Sequence, residues 1–249
     1  AFVLEGGSTY LRDRLLESGV PFICPGKEIY LPFLGIALEH ERRKKREAPE
    51  KISFLTQKML LTILYEGVEN GSAAEMAARL GVSRMTGTRC FDEVEAMIPQ
   101  LIQRKGRRRV ISWTGTKRKY IELVRPVLRT PVLREYRLAT QVGETLPVSG
   151  LSALCCCTML NDDPYPTCMA TRDVASKLGL GKLPQMPRAE MPAQCIQVVA
   201  YQYPFSAGGQ AVMDPVSVSL AIPDALRKEP RVEQAIEEMM EEYVYHEGS

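Results

Sequence analysis

Five residues near the middle of the chain are spaced so that their hydrogen-bond donors can serve one ligand. Ser83 is followed by Arg84, Thr86, Thr88 and Arg89 in a stretch with helical character. A serine before a helix caps its first turn, and the backbone N–H groups of that turn attract anionic oxygens. Arginine pairs with guanine through two hydrogen bonds, and threonine reaches a base edge or a thymine methyl group. The pattern predicts contacts with duplex DNA.

A second basic group follows further along the chain. Arg104, Lys105, Arg107, Arg108 and Arg109 surround a single glycine between two strand-like stretches. Eight Lys and Arg residues and no acid occur over positions 104–119, although the whole chain has a formal net charge of only +2. Such a local excess of positive charge is typical of a surface that binds a polyanion. It predicts a hairpin whose basic turn contacts the DNA backbone or the minor groove.

The elements that must position these donors are two helices joined by a tight turn. Residues 72–91 place the small Ala77 where a second helix must cross closely, and Gly81 in the turn. Apolar residues at the expected offsets would hold the two helices together: Met76, Leu80, Val82 and Cys90. Apolar side chains over residues 55–64 recur with helical spacing and supply a third helix. The succession of helices and basic hairpin predicts a winged helix-turn-helix domain over residues 52–129.

Residues 52–116 resemble the winged-helix domain of MarR-type transcriptional regulators. In this resemblance the second helix, the recognition helix and the wing correspond to residues 72–80, 84–97 and 102–113. The resemblance implies a regulator of transcription, in the expected case a repressor, that binds double-stranded DNA as a homodimer on a palindromic site. The long dimerising end helices of compact MarR proteins are not apparent, so neither their dimer geometry nor their ligand pocket is implied.

The wider chain is similar to longer bacterial proteins that carry such a domain between two others. Some of these proteins are related to antitoxin-type repressors of the AbiEi kind. The phrases that carry this similarity are residues 20–27, 30–32, 130–132, 150–154 and 214–217, with the helix that follows position 230. The similarity leaves open an antitoxin-like autorepressor as an alternative function.

The segment before the central domain is predicted to form a small α/β unit over residues 1–40. It would contain a helix from Ser8 to Ser18 and a hairpin that turns at residues 25–27. It begins without an initiating Met, which leaves open that it continues upstream. Residues 41–51 are predicted to form a charged linker that contains five consecutive basic residues, with contact to the DNA backbone as the alternative.

The segment after the central domain is predicted to be a connector over residues 130–147, marked by prolines, and an α/β domain over 148–249 for sensing or assembly. Its predicted elements are a helix over 150–160, strands over 167–171, 196–203 and 216–222, a short helix over 172–178 and a final helix from Pro230 with an acidic outer face. The expected fold class is α+β. In a competing interpretation the chain is a protein-interaction module, and the final helix docks a partner protein.

Composition excludes several classes of protein. Hydrophobic residues make up 45% of the chain and charged residues 25%, as in ordinary globular proteins. No apolar run reaches the roughly 20 residues that span a bilayer, and no secretory leader pattern is found. The seven Cys are odd in number and three are consecutive, so reduced thiols are expected. These features predict a cytoplasmic protein without a membrane partner.

Enzymatic and metal-binding residues are sparse. The chain has two His and no Cys-x-x-Cys pair, so neither a metal site, a cofactor nor a His-dependent catalytic triad is expected. Asp162, Asp163 and Asp173 would form a two-metal acidic cluster, as in a nucleic-acid enzyme, only if they met in space. The prolines beside the first two favour a surface turn instead. The chain is therefore expected not to be an enzyme.

Overall fold

The computed structural model of the chain describes residues 2–3, 14–15, 18–24, 28–32, 36–38, 51–106, 108–161 and 164–246. Two compact units are present, Ala1–Pro49 and Glu50–Ser249. Helices and small sheets occur together, which confirms the expected α+β class. Among the described residues, none of the helices combines the length and the apolar character needed to cross a bilayer.

The first unit contains a four-stranded sheet. Its strands are β1 (Phe2–Val3), β2 (Phe22–Cys24), β3 (Glu28–Leu31) and β4 (Ile36–Leu38), in the order β1-β2-β3-β4. β1 runs parallel to β2, and the other pairs are antiparallel. The predicted hairpin is confirmed by the pairing of β2 with β3. The helix predicted from Ser8 to Ser18 lies largely outside the described residues.

The second unit begins with a helical region and a three-stranded sheet. The elements in chain order are α1 (Phe54–Glu66), β5 (Asn70–Ser72), α2 (Ala73–Leu80), α3 (Arg84–Met97), β6 (Ile102–Lys105), β7 (Arg108–Ser112) and α4 (Lys117–Val124). β7 is central and pairs antiparallel with both β5 and β6. The predicted helices and the predicted hairpin are confirmed as elements of secondary structure.

The remainder of the second unit contains a mixed sheet and further helices. They are β8 (Val132–Leu138), α5 (Gly150–Cys157), β9 (Thr167–Thr171), α6 (Arg172–Lys177), β10 (Gln194–Val199), β11 (Ser206–Ala207), β12 (Gln210–Ala211), α7 (Pro215–Ala221), α8 (Asp224–Arg227) and α9 (Pro230–Met240). β10 lies between β8, to which it is antiparallel, and β9, to which it is parallel. β8 thus occupies part of the segment interpreted from sequence as a connector.

The strand predicted over residues 216–222 is wrong, because this segment is helix α7. Asp214 caps the helix by accepting a hydrogen bond from the backbone N–H of Ser217 at 3.0 Å, and Pro215 occupies its first turn. The alternating serines are themselves buried, and the Ser219 hydroxyl donates back to the carbonyl of Val216 at 2.8 Å. Because the serines are buried together with the valines, the alternation of apolar and small polar residues does not indicate a strand with one exposed face in this segment.

One hydrophobic core extends through the second unit. It includes Met59 of α1 and Phe91 of α3, together with Val216 of α7 and Met239 of α9. Residues 59–64 of α1 are all buried, as expected for a helix that is surrounded by other elements. The helical region at residues 54–97 and helices α5, α7 and α9 therefore share one core.

Candidate nucleic-acid interface

The turn between α2 and α3 is built from local capping interactions. Gly81 ends α2 with φ of 66°, in the left-handed region that glycine adopts without steric cost. Ser83 then caps α3, and its Oγ accepts a hydrogen bond from the backbone N–H of Thr86 at 3.2 Å. The glycine turn and the serine cap predicted from sequence are both present.

The two helices cross at very close range. A Cβ atom added at Gly87 of α3 would lie 2.6 Å from the carbonyl oxygen of Ala73 and 2.8 Å from the Cβ of Ala77. The sequence pattern predicts Ala77 as the small residue of this crossing, and its counterpart on α3 is Gly87, which was not among the predicted residues. The signal was a glycine inside a helix, which costs about 1 kcal/mol of helix propensity and so indicates a packing requirement.

The N-terminal half of α3 has one buried and one exposed face. Gly87, Cys90, Phe91 and Val94 are buried on the inner side. The exposed residues are Ser83, Arg84, Met85, Thr88 and Arg89. Of the five donors predicted from sequence, four lie on this exposed side, while the half-buried Thr86 places its hydroxyl 2.9 Å from that of Ser83. Thr88 donates its hydroxyl hydrogen to the carbonyl of Arg84 at 3.0 Å.

Met85 lies among the exposed residues of α3 but not among the donors predicted from sequence. Its side chain is 67% exposed, and its sulfur lies 3.8 Å from a guanidinium nitrogen of Arg89. An apolar side chain between two arginines suits contact with a methyl group on a base. The signal in sequence was its position one residue after Arg84, on the same helical face as Arg89.

Charge is distributed unevenly along α3. Within the described part of the chain, neither Arg84 nor Arg89 forms an ion pair. The C-terminal half of the same helix carries three acids, Asp92, Glu93 and Glu95, and each of them is engaged by another element. The positive potential at the N-terminal end of α3 is therefore not neutralised by the helix's own acids.

Two arginines of the β6–β7 hairpin neutralise acids of α3. Arg109 forms ion pairs with Asp92 at 2.7 Å and Glu95 at 2.6 Å, and Arg104 reaches Glu95 at 3.2 Å. Hydrogen bonds from Arg109 and Arg104 lower the pKa of the Glu95 carboxyl, while Glu95 and Asp92 raise the pKa of Arg109. These contacts hold the hairpin against the helix.

The other predicted hairpin residues differ in their surroundings. Lys105 donates a hydrogen bond to the side-chain oxygen of Asn70 at 2.8 Å. Arg108 is exposed, and no described residue forms an ion pair with it. The tip at Gly106 is exposed, with φ of 61°. Arg107 lies outside the described residues.

Glu93 fixes α3 against the first helix of the region. Its carboxylate accepts hydrogen bonds from the backbone N–H of Ser53 at 2.6 Å and from the Ser53 hydroxyl at 2.8 Å. Ser53 is the N-cap of α1, so a negative charge lies at the positive end of that helix dipole. Cys90, one turn earlier, is buried, and burial raises the pKa of its thiol. A packing role suits such a protonated thiol.

The basic residues at the start of α4 are partly occupied by the C-terminal segment. Arg118 forms an ion pair with Glu241, and its guanidinium lies 4.5 Å from the centre of the Tyr245 ring. Lys117 donates to the carbonyl of His246 at 3.4 Å. The sequence-level charge excess over positions 104–119 is thus reduced in the folded chain.

The alternative acidic cluster receives no geometric support. Asp173 is exposed on α6, and Asp162 and Asp163 lie outside the described residues. Among the residues that the structure describes, no three His, Cys, Asp or Glu side chains are arranged to hold a metal ion.

Comparison of the chain with protein-family models, with curated proteins and with solved structures found no match.

Proposed function

We propose that the chain is a sequence-specific transcriptional regulator, acting as a repressor, that binds duplex DNA through a winged helix-turn-helix. One observation carries this proposal. The N-terminal half of α3 exposes Arg84 and Arg89 without an ion-pair partner among the described residues, beside the capped helix end. Positive charge and unsatisfied backbone donors on one exposed surface suit a polyanionic double helix.

The order of elements supports this interpretation. A helix, a short strand, two helices and a two-stranded hairpin follow one another, and the short strand β5 joins the hairpin in one sheet. This is the order that a winged helix requires, with α3 as the recognition helix and the β6–β7 turn as the wing. The close crossing at Gly87 holds α2 behind α3, which leaves the opposite face of α3 for the DNA.

The exposed side chains at the start of α3 and the arginines of the β6–β7 hairpin have different proposed roles in DNA binding. Arg84 and Arg89 contact guanine edges or phosphates in the major groove, and Met85 contacts a thymine methyl group. Ser83 and the first turn of α3 receive a phosphate, and Arg108 contacts the backbone from the wing. Arg104 and Arg109 would act indirectly, because their carboxylate partners on α3 hold the wing in position. A homodimer on a palindromic site is the proposed assembly.

The test is a binding titration with fluorescent duplex from immediately upstream of the native gene, compared with a scrambled duplex over a range of salt concentrations. Arg84→Ala is expected to cost about 1–3 kcal/mol on the native duplex and less on the scrambled one, because base contacts carry sequence preference. Lys228→Ala, which removes an exposed cation far along the chain, is the matched control. Equal losses on the two duplexes would contradict a base-reading role for Arg84.

A protein-interaction module is the second candidate, with an antitoxin-like autorepressor as its DNA-binding form. The observation that favours it lies in the C-terminal part of the chain, where Glu233, Glu237 and Glu238 of α9 are exposed and Met159 is 96% exposed. The interaction module without DNA binding predicts stable co-purification with a different protein and no duplex binding at moderate salt. Salt-dependent binding of the isolated chain to duplex would reject the module that lacks DNA binding.

A further inference from the structure

A pocket opens on the mixed sheet of the second unit, on the side that α6 covers. Its volume is about 450 Å³, within the range of small-molecule sites. The floor consists of Ala175, Leu180 and Val198, all buried. These three residues belong to a small hydrophobic core that is separate from the main one. The pocket therefore offers an apolar floor in the second half of the chain.

Three cations line the same pocket. Arg134 of β8, Arg172 of α6 and Lys182 are exposed, and the lining includes no carboxylate. Within the described part of the chain, none of the three forms an ion pair. The guanidinium of Arg134 lies 4.7 Å from the centre of the Tyr136 ring, which holds it beside the opening. A bound anion would therefore meet cationic side chains and no carboxylate in the lining of this pocket.

We propose that this pocket binds a small amphiphilic anion. The apolar body of the ligand lies on Ala175, Leu180 and Val198, and its carboxylate or phosphate group lies among the three cations. The concave shape and the apolar floor favour such a ligand over a DNA phosphate, because a duplex presents no apolar group that could enter the pocket. The proposal does not depend on the proposed DNA-binding function, since it rests on a different surface.

Strand β8, which contributes Leu133, Arg134 and Tyr136 to the pocket, follows a segment that is bonded to α1. Just before β8, the side-chain amide of Gln57 in α1 donates to the carbonyl of Arg129 at 2.8 Å and accepts from its backbone N–H at 3.0 Å. The Arg129 side chain also donates to the carbonyl of Ile52 at 2.7 Å. A ligand that contacts β8 would therefore lie close, in sequence, to Arg129, which is hydrogen-bonded to α1.

The experiment is isothermal titration calorimetry of the full chain with octanoate and phenyl phosphate, and with octanol, acetate and inorganic phosphate as partial ligands. We expect at least one of the two amphiphilic anions to bind with a dissociation constant below about 1 mM. Each partial ligand is expected to bind at least about tenfold more weakly, because it lacks either the charge or the apolar body. A further titration with octyl phosphate, which has an alkyl chain like that of octanoate, identifies the preferred anionic group.

Three variants locate the site. Arg172→Ala and Lys182→Ala, both at exposed positions, are expected to weaken binding at least about fivefold each. Gly181→Phe is expected to abolish binding, because Gly181 lines the pocket and the ring would cover its opening. The fold has room for the start of this side chain, since a Cβ at Gly181 would touch only the Tyr136 hydroxyl, at 3.8 Å. Lys177→Ala is the matched control, since this exposed cation lies on α6 but does not line the pocket. Unchanged thermal unfolding midpoints establish that the variants fold.

Four results with these ligands and variants would overturn the proposal. The first is no binding of either amphiphilic anion at about 5 mM, and the second is equal binding of octanol and octanoate. The third is an equal weakening of ligand binding by Lys177→Ala and Arg172→Ala. The fourth is full ligand binding by a folded Gly181→Phe variant. If Gly181→Phe does not fold, Arg172→Ala and Lys182→Ala decide alone. Displacement of the ligand by a short duplex, with equal affinity for scrambled DNA, would assign the three cations to DNA and would also overturn the proposal.

Discussion

Replacement of Gly87 by alanine tests the helix crossing on which the proposed DNA-binding surface depends. The added Cβ would lie 2.6 Å from a backbone oxygen and 2.8 Å from a side-chain carbon. Because a backbone carbonyl cannot rotate away, α2 and α3 must separate, and overpacking of this kind costs about 1–3 kcal/mol. Alanine returns about 1 kcal/mol of helix propensity relative to glycine. The net expectation is a loss of up to about 2 kcal/mol in the free energy of unfolding.

The assay is urea unfolding followed by circular dichroism, with Gly143→Ala as the control. Gly143 has open space around its would-be Cβ and no positive φ, so alanine there is expected to be neutral or to stabilise by up to about 1 kcal/mol. Folded Gly87→Ala protein is also expected to bind DNA more weakly, because the N-terminal end of α3 is displaced. A Gly87→Ala variant at least as stable as the Gly143→Ala variant would refute the close crossing.

The remaining predictions concern charged groups. Arg109→Ala should lower the thermal unfolding midpoint at low salt, because Asp92 and Glu95 lose a shared cation, and the difference should shrink at about 1 M salt, where screening acts within about 3 Å. Arg108→Ala should leave that midpoint unchanged and flatten the salt slope of DNA binding by about one unit. A lower midpoint for Arg108→Ala together with an unchanged midpoint for Arg109→Ala would contradict the roles proposed for both arginines. Burial raises the pKa of the Asp214 carboxyl, so its ionisation destabilises the folded state, and wild type should lose stability relative to Asp214→Asn as pH rises above about 4. Urea unfolding at a series of pH values measures this difference, and a constant difference would contradict it.

Local interactions made much of the helical region predictable from sequence. The bounds of α3 follow from the Ser83 cap and from apolar residues at helical spacing, and the turn before it follows from Gly81. The exposure of Arg89 follows from the same periodicity, since it lies opposite the buried Gly87 and Val94, whereas Arg84 is exposed at the first position of the helix. Such features depend on neighbours within about one helical turn, so the order of residues alone specifies them.

Other features depend on residues that are far apart in sequence. The pairing of Arg109 with Asp92 and Glu95 removes charge that the sequence count assigned to the basic surface. The main core joins α1 to α7 and α9, across the boundary that the prolines near residues 130–147 indicated.

The sequence by itself thus determined the helices and the hairpin of residues 54–112 and the exposure of Arg89 on α3. The tertiary structure alone decided which of the basic residues keep their charge available, and that α7 is a buried helix rather than a strand. The physical reason is that ion pairing and burial from all sides are set by partners brought together from distant parts of the chain, whereas caps and periodicity act between near neighbours.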